Sequence, residues 1–308
     1  MATPIHIPVL VDQVVELLRP CSTGILVDCT VGLGGHAGAI LQAYPELCVL
    51  GLDVDPEALE IAQQRLRPWG KRVDLVCHSY TRLDEILDKR QIQPTAVLFD
   101  LGVSSLQLES PHRGFSFRLE GPLDMRFSKE GKTLAEVLAQ TNELELASWL
   151  AHYGEERRAY SIARAILRQR QQGQMATTTD LRRAVWSVTG PPRGHLDPAT
   201  KTFQALRIVT NNELSGIPRA LEVAAERLKP FGRLLVLAYH SLEDRIVKNT
   251  FRRLSGTCVC APGTTTCTCQ RREVLRIVTK KPITAPSSEV AKNPRARSAK
   301  LRAAERRP

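Results

Sequence analysis

Apolar residues in the first hundred positions gather in short runs at 25–28, 49–52, 73–77 and 96–99, interrupted by Asp74 and ended by Asp28, and separated by turns or by helix-compatible stretches such as 57–66 and 83–89. Runs this short and this rich in apolar residues predict strands buried on both faces. Their alternation with helices predicts a mostly parallel sheet covered on both sides, an α/β fold. The pattern then changes. Residues 107–127 are rich in Gly, Pro, Arg and Phe, and from there to about residue 212 only helical spacing is found. Leu146, Trp149 and Leu150 keep that spacing, as do Ala163, Ile166 and Leu167. Leu181, Ala184, Val185 and Val188 follow a capping box at Thr177 and Asp180. Sheet grammar returns as a helix at 216–228, a turn at Pro230-Phe231-Gly232, a strand at 233–239 and a helix at 241–251. The whole reads as one α/β domain, 1–108 and 213–308, interrupted by a helical insertion at 109–212.

The first strand runs into a glycine-rich turn, Gly32-Leu33-Gly34-Gly35-His36-Ala37, and the second ends in Asp53. Glycines let a backbone approach a ligand closely, and an acid roughly 20 residues further on can accept ribose hydroxyls. The turn alone satisfies a dinucleotide fingerprint, so an NAD-dependent oxidoreductase is one reading. Three acids at strand ends, Asp28, Asp53 and Asp100, favour S-adenosylmethionine instead. Asp28 is expected to reach the amino acid part of that ligand and Asp53 its ribose.

Composition adds a location and a partner. No apolar run is long enough to span a membrane, and the first residues lack a basic region followed by an apolar one, so a cytoplasmic protein without membrane association is expected. The net charge is +11, and 14 basic against 3 acidic residues lie in 252–308, while the preceding 251 residues carry 29 of each. Such a segment is the footprint of a polyanion binder, or else a solvated tail. Cys21, Cys29, Cys48 and Cys77 are scattered among apolar residues. Cys258, Cys260, Cys267 and Cys269 form C-x-C-x6-C-x-C, tighter than the usual zinc spacing, so no metal is assigned.

Several long motifs carry a family resemblance: residues 28–36, Asp100-Leu101-Gly102-Val103-Ser104-Ser105-Leu106-Gln107-Leu108, Arg113-Gly114-Phe115-Ser116-Phe117, Gly121-Pro122-Leu123-Asp124-Met125-Arg126, 201–208, Tyr239-His240-Ser241-Leu242-Glu243-Asp244-Arg245 and 293–302. Nearly end to end, the chain resembles the MraW family of bacterial 16S rRNA cytosine-N4 methyltransferases. That resemblance implies a class I, Rossmann-like methyltransferase fold with an inserted helical domain. It also implies methyl transfer from S-adenosylmethionine to N4 of a cytidine in the decoding region of 16S rRNA within the small ribosomal subunit. The implied cofactor contacts are Gly34, Gly35, His36, Asp53, Tyr80, Asp100 and Gln107. The chain departs from the family pattern at Asp197 and Lys201, where His and Arg are expected.

Methyl transfer to an exocyclic amine calls for an acceptor for the N–H proton. The D/N/S-P-P-aromatic tetrad of many amino-methyltransferases is absent, since Asp100-Leu101-Gly102-Val103 stands there. Asp100 is the first candidate acceptor and Asp124 the second, with Ser104 and His240 behind them. Phe115, Phe117, Arg118 and Arg126 are expected to receive an unstacked base, and Arg295, Arg297, Lys300 and Arg302 to contact phosphates. A different target base, DNA as substrate and a non-catalytic RNA-binding protein are the competing readings. The oligomeric state stays open, a homodimer included.

Overall fold

The computed structural model describes residues 8–308 apart from 193, 195, 196, 262 and 265. It divides into two compact units, one made of Met1–Gly102 with Leu214–Pro308 and the other of Val103–Glu213.

The first unit is built on a seven-stranded sheet: β1 (Gly24–Asp28), β2 (Leu47–Asp53), β3 (Val73–Cys77), β4 (Ala96–Asp100), β5 (Arg233–Ala238), β6 (Leu275–Ile277) and β7 (Lys300–Arg306), in the spatial order β3-β2-β1-β4-β5-β7-β6. The first five strands pair in parallel, and β7 is antiparallel to both β5 and β6. Strand order reverses between β1 and β4, so the crevice outside their carboxyl ends is where an open α/β sheet binds a ligand. Alternate residues feed separate cores. Val27, Val97, Phe99, Leu234 and Val236 face one, and Leu26, Leu98, Leu235 and Leu237 the other. The first core is covered by α4 (Leu83–Arg90), α11 (Ile217–Arg227) and α12 (Ser241–Leu254). The second lies under α1 (Val11–Leu18), α2 (Gly35–Ala43) and α3 (Pro56–Leu66). Burial on both faces is why β1, β2 and β4 read as mostly apolar runs, whereas β3, at the sheet edge, has no buried residue and carries Asp74, so the expectation of a buried strand at 73–77 does not hold.

The C-terminal segment corrects the image of a solvated tail. β7 lies between two strands with its central residues buried. Leu301 and Ala303 fill one core and Ala304 the other, while Glu305 pairs with Arg233 at 3.1 Å and with Arg276 at 2.6 Å. Among the described residues no helix is long and apolar enough to cross a membrane.

The second unit is helical: α5 (Ser105–Glu109), α6 (Leu134–Gln140), α7 (Glu143–Gly154), α8 (Ala159–Gln171), α9 (Thr178–Thr189) and α10 (Ala199–Asn211). Leu146, Leu150, Ile166, Leu181 and Val185, on the stripes anticipated from spacing, lie in its core. The Thr177–Asp180 capping box starts α9. The unit begins at Val103 rather than at 109, because Val103 and Leu108 pack against the helical core. A short α13 (Ser287–Lys292) belongs to the first unit.

Candidate functional site

The turn after β1 is tied to the sheet before any ligand is considered. Cys29 N–H donates to the Leu98 carbonyl at 2.8 Å and Val31 N–H to that of Leu52 at 2.8 Å. Gly32 N–H donates to Asp53 Oδ2 at 2.8 Å, and Asp55 N–H to Asp53 Oδ1 at 3.0 Å. Gly32 and Gly34 have φ of +51° and +75°, a region costly for side chains with a Cβ. A Cβ at Gly34 would also sit 3.0 Å from Leu66, whereas at Gly32 it would meet only the Thr30 carbonyl, at 3.9 Å. A side chain at Gly34 would therefore be disfavoured by conformation and would also press on Leu66, whereas Gly32 borders open space.

Burial pushes the Asp53 carboxyl up to about 6, against the two backbone N–H groups that stabilise its charge. Asp28 is only 1% exposed, and its Oδ1 accepts from Thr30 N–H at 3.2 Å. Burial raises it to about 7, with the charge of His36 opposing. Asp28 was expected to reach the ligand; it is enclosed instead and braces the turn from beneath.

Asp100 ends β4 and is held from two sides. Tyr239 Oη donates to its Oδ1 at 2.6 Å, and His36 Nδ1 lies 3.4 Å from its Oδ2. The other ring nitrogen of His36 is 2.8 Å from the Val9 carbonyl. Both nitrogens face acceptors, so the imidazolium suits the site better than either neutral tautomer. Burial works against that charge, but the Asp100 hydrogen bond and charge outweigh it and raise the histidine. Burial and the Asp100 charge hold the Tyr239 phenol well above its ordinary value, so it remains a donor.

Nothing in the local sequence marks Tyr239 as a site residue. Leu237 of β5 is in register with Asp100, and Tyr239 follows two residues later. Its N–H donates to Glu243 Oε2 at 2.8 Å, and His240 caps α12 by accepting from Glu243 N–H at 3.4 Å. Tyr80, just after β3, stands edge-on to Phe99 with centroids 5.7 Å apart.

Among the described residues no Lys or Arg forms an ion pair with Asp28, Asp53 or Asp100. Acids without a Lys or Arg partner, with the His36 ring beside Asp100, suit a ligand bearing hydroxyl donors and positive charge. They oppose the pyrophosphate of a dinucleotide. S-adenosylmethionine, with a ribose, an ammonium and a sulfonium, fits this donor set.

The helical unit holds other expected residues more tightly than a mobile loop would. Gln107 Oε1 accepts from Ser104 N–H at 3.0 Å while Ser104 Oγ accepts from Gln107 N–H at 3.2 Å, a capping box that engages both at the start of α5. Phe115 is 5% exposed and stacks on Phe127 at 5.6 Å, which makes it core rather than a platform for a base. Phe117 is half-buried, edge-on to Phe203 at 5.2 Å and under the Arg182 guanidinium at 5.5 Å. Arg118 is exposed. Arg126 donates from Nε and Nη2 to the two oxygens of Asp124 at 2.9 and 2.8 Å, and from Nη1 to the Lys129 and Gly131 carbonyls. Burial pushes Asp124 up, but the Arg126 hydrogen bonds and the charges of Arg126 and Arg113 leave it below the usual carboxylate value. A carboxylate so held is a poor proton acceptor. It is a turn residue, accepting from Arg126 N–H at 3.0 Å as well. At the departures from the family pattern, Asp197 accepts from Arg182 and Trp186, and Lys201 Nζ donates to the Glu155 carbonyl at 2.9 Å.

Back in the sheet unit, Arg302 Nε donates to Asp244 at 2.7 Å and Lys300 Nζ to the same carboxylate at 3.2 Å. Both are expected on phosphates from the sequence; instead they share the Asp244 carboxylate, which offsets one of their two charges. Arg297 is exposed and Arg295 half-buried, on the turn before β7.

Against this geometry, the sequence profile of the MraW methylase family matches residues 3–307. The chain is similar to proteins named ribosomal RNA small subunit methyltransferase H. That of Thermomicrobium roseum is 45% identical over 305 residues, covering 98% of this chain and 93% of the relative. That of Syntrophus aciditrophicus is 44% identical over 306 residues, covering 98% and 97%. That of Dehalococcoides mccartyi is 43% identical over 304 residues, covering 98% and 86%.

Proposed function

Since the chain belongs to the MraW methylase family, we propose that it methylates N4 of a cytidine in the decoding region of small-subunit rRNA. The cofactor is S-adenosylmethionine, which when bound supplies a methyl group on a sulfonium. The observation that carries this reading is the set of strand-end carboxylates around the Gly32–Gly35 turn with no Lys or Arg ion pair among the described residues.

In this reading Asp53, fixed by two backbone N–H groups, turns its remaining lone pairs to the ribose hydroxyls. Gly34, Gly35 and His36 line the turn beside the cofactor, and Tyr80 offers an apolar edge. Asp100, held by Tyr239 and His36, accepts hydrogen bonds from the cofactor's amino group and from the N4 amine. The lone pair of that amine is delocalised into the ring, and an acceptor for its N–H helps to localise it. Once methylated, the nitrogen is a strong acid. An oriented acceptor therefore suffices, and the Tyr239 hydrogen bond provides the orientation. Arg118, Phe117, Arg295 and Arg297 are the residues through which this reading has RNA contact the protein, in the helical unit for the first two and beside β7 for the others.

The test is transfer of labelled methyl from S-adenosylmethionine to small subunits and to naked rRNA, followed by nucleoside analysis. N4-methylcytidine supports the proposal. Label on another base or another nucleic acid would leave the family standing and overturn the substrate.

A further inference from the structure

Between the end of α12 and the start of β6 the chain makes an excursion with a narrow neck. Val274 N–H donates to the Leu254 carbonyl at 2.8 Å, Arg272 N–H to that of Arg253 at 2.9 Å, and Gly256 N–H to that of Arg272 at 2.9 Å. Beyond the neck, none of the described residues in 257–272 is buried. Ordering such a segment costs conformational entropy that no apolar burial offsets, the situation in which small substructures rely on cross-links or metals. What the excursion gathers is sulfur.

The Sγ atoms of Cys258, Cys260, Cys267 and Cys269 all lie within 4.8 Å of one another, and all four thiols are free. Cys258 is 3.6 Å from Cys267 and 3.7 Å from Cys269, and Cys267 is 3.3 Å from Cys269. A tetrahedral zinc with Zn–S bonds of about 2.3 Å holds its sulfurs about 3.8 Å apart. Disulfides would sort the sulfurs into bonded pairs at about 2.05 Å, whereas here three of them are almost equidistant. The C-x-C spacing is compatible with this geometry. In extended chain, residues two apart present their side chains to the same face, so each arm can offer both thiols to one point.

We propose that Cys258, Cys260, Cys267 and Cys269 bind one zinc ion as a closed structural Zn(Cys)4 site that pins the excursion shut. Each ligand loses its thiol proton to solvent, zinc stays divalent, and no open position is left for catalysis. The resulting site carries two net negative charges. Arg252, Arg253, Arg271 and Arg272 flank it in the chain; Arg253 and Arg272 reach Glu222 and Glu226 as well, and Arg271 is exposed. The carboxylates and histidines typical of a catalytic zinc centre are absent from the described residues of 257–272.

The experiment is elemental analysis of the full-length chain purified under reducing conditions without chelator, together with cobalt substitution. One zinc per chain is expected, with cobalt giving tetrahedral d–d bands and a thiolate-to-cobalt charge-transfer band. Cys258→Ser and Cys267→Ser should each lose the metal and the charge-transfer band, while Cys77→Ser retains both. Calorimetric titration with S-adenosylmethionine checks that each variant is folded. Metal-free protein that takes up no cobalt overturns the proposal. So does tightly bound iron, or a mass lowered by two disulfides in protein never exposed to oxidant.

Discussion

Carboxylates at the strand ends of the sheet unit and two carboxylates of the helical unit, Asp124 and Asp197, meet opposite electrostatic conditions. At the strand ends, Asp28 is buried and Asp53 half-buried, neither has an arginine or lysine ion pair, and desolvation pushes them up to about 7 and about 6. In the helical unit, Asp124 is clasped by Arg126, and Asp197 by Arg182 and Trp186. Burial pushes those two up as well, but their hydrogen bonds and neighbouring guanidinium groups leave both below the usual value. Residue type is the same; the counter-charge differs. Paired acids stabilise the unit that contains them. Unpaired buried acids cost stability, and such costs concentrate where a ligand brings the missing charge.

The largest effect should come from Asp100. Asp100→Asn should lower the rate of methyl transfer by about 100-fold or more, the range for removing a positioned proton acceptor. Single-turnover kinetics at saturating cofactor would check this, and an unchanged rate would remove Asp100 from the chemistry. Asp197→Asn should do the reverse. It leaves a half-buried guanidinium without its partner and should cost about 2 to 4 kcal/mol of stability in thermal or urea unfolding, with cofactor affinity unchanged. Asp124→Asn should cost about 1 kcal/mol and keep turnover, because the side chain organises a turn. Lost turnover at full cofactor affinity would return Asp124 to the catalytic set and blur the contrast between the units.

The pH dependence follows from the same contrast. Asp28 and Asp53 bind protons more tightly folded than at their ordinary value of 3.8, so their contribution is full below about pH 4. It is lost as pH rises towards 7. His36, also raised, loses its contribution in the same direction as pH passes its folded value. The melting temperature of the cofactor-free protein should therefore fall from pH 5 to pH 8, and Asp28→Asn should flatten that fall. An unaltered profile in the variant would mean that Asp28 does not titrate there. The smallest effect concerns cations. Lys300 and Arg302 are paired with Asp244, whereas Arg297 is exposed. Arg297→Ala should weaken RNA binding slightly and reduce the slope of log affinity against log salt by about 1, measured by filter binding. Deleting residues 293–308 would not give the same information, because it removes β7 from between β5 and β6.

Local pattern carried much of this architecture. The run at 73–77 coincides with β3, and the Thr177–Asp180 spacing is the capping box of α9, because both depend on residues near in sequence. β7 was hidden for the opposite reason. Lys300-Leu301-Arg302-Ala303-Ala304-Glu305-Arg306 is charged and alanine-rich, and it is buried only because Asp244, Arg233 and Arg276 arrive from elsewhere to pair its charges. At the site, the glycines and strand-end acids were legible from their spacing. The Tyr239 hydrogen bond to Asp100 spans 139 residues and was not. The stacking of Phe115 on Phe127, which takes that ring out of reach of a base, likewise depends on how the loop folds back.

Calorimetric titration of S-adenosylmethionine into Asp53→Asn and Asp197→Asn sets the two kinds of carboxylate against each other directly. Asp53→Asn should weaken binding by about 100-fold, through charged hydrogen bonds lost to the ribose and an amide nitrogen turned towards one backbone N–H. Asp197→Asn should bind as the parent does. Equal affinities in the two variants, or a larger loss at Asp197, would contradict the assignment of the cofactor to the unpaired strand-end acids.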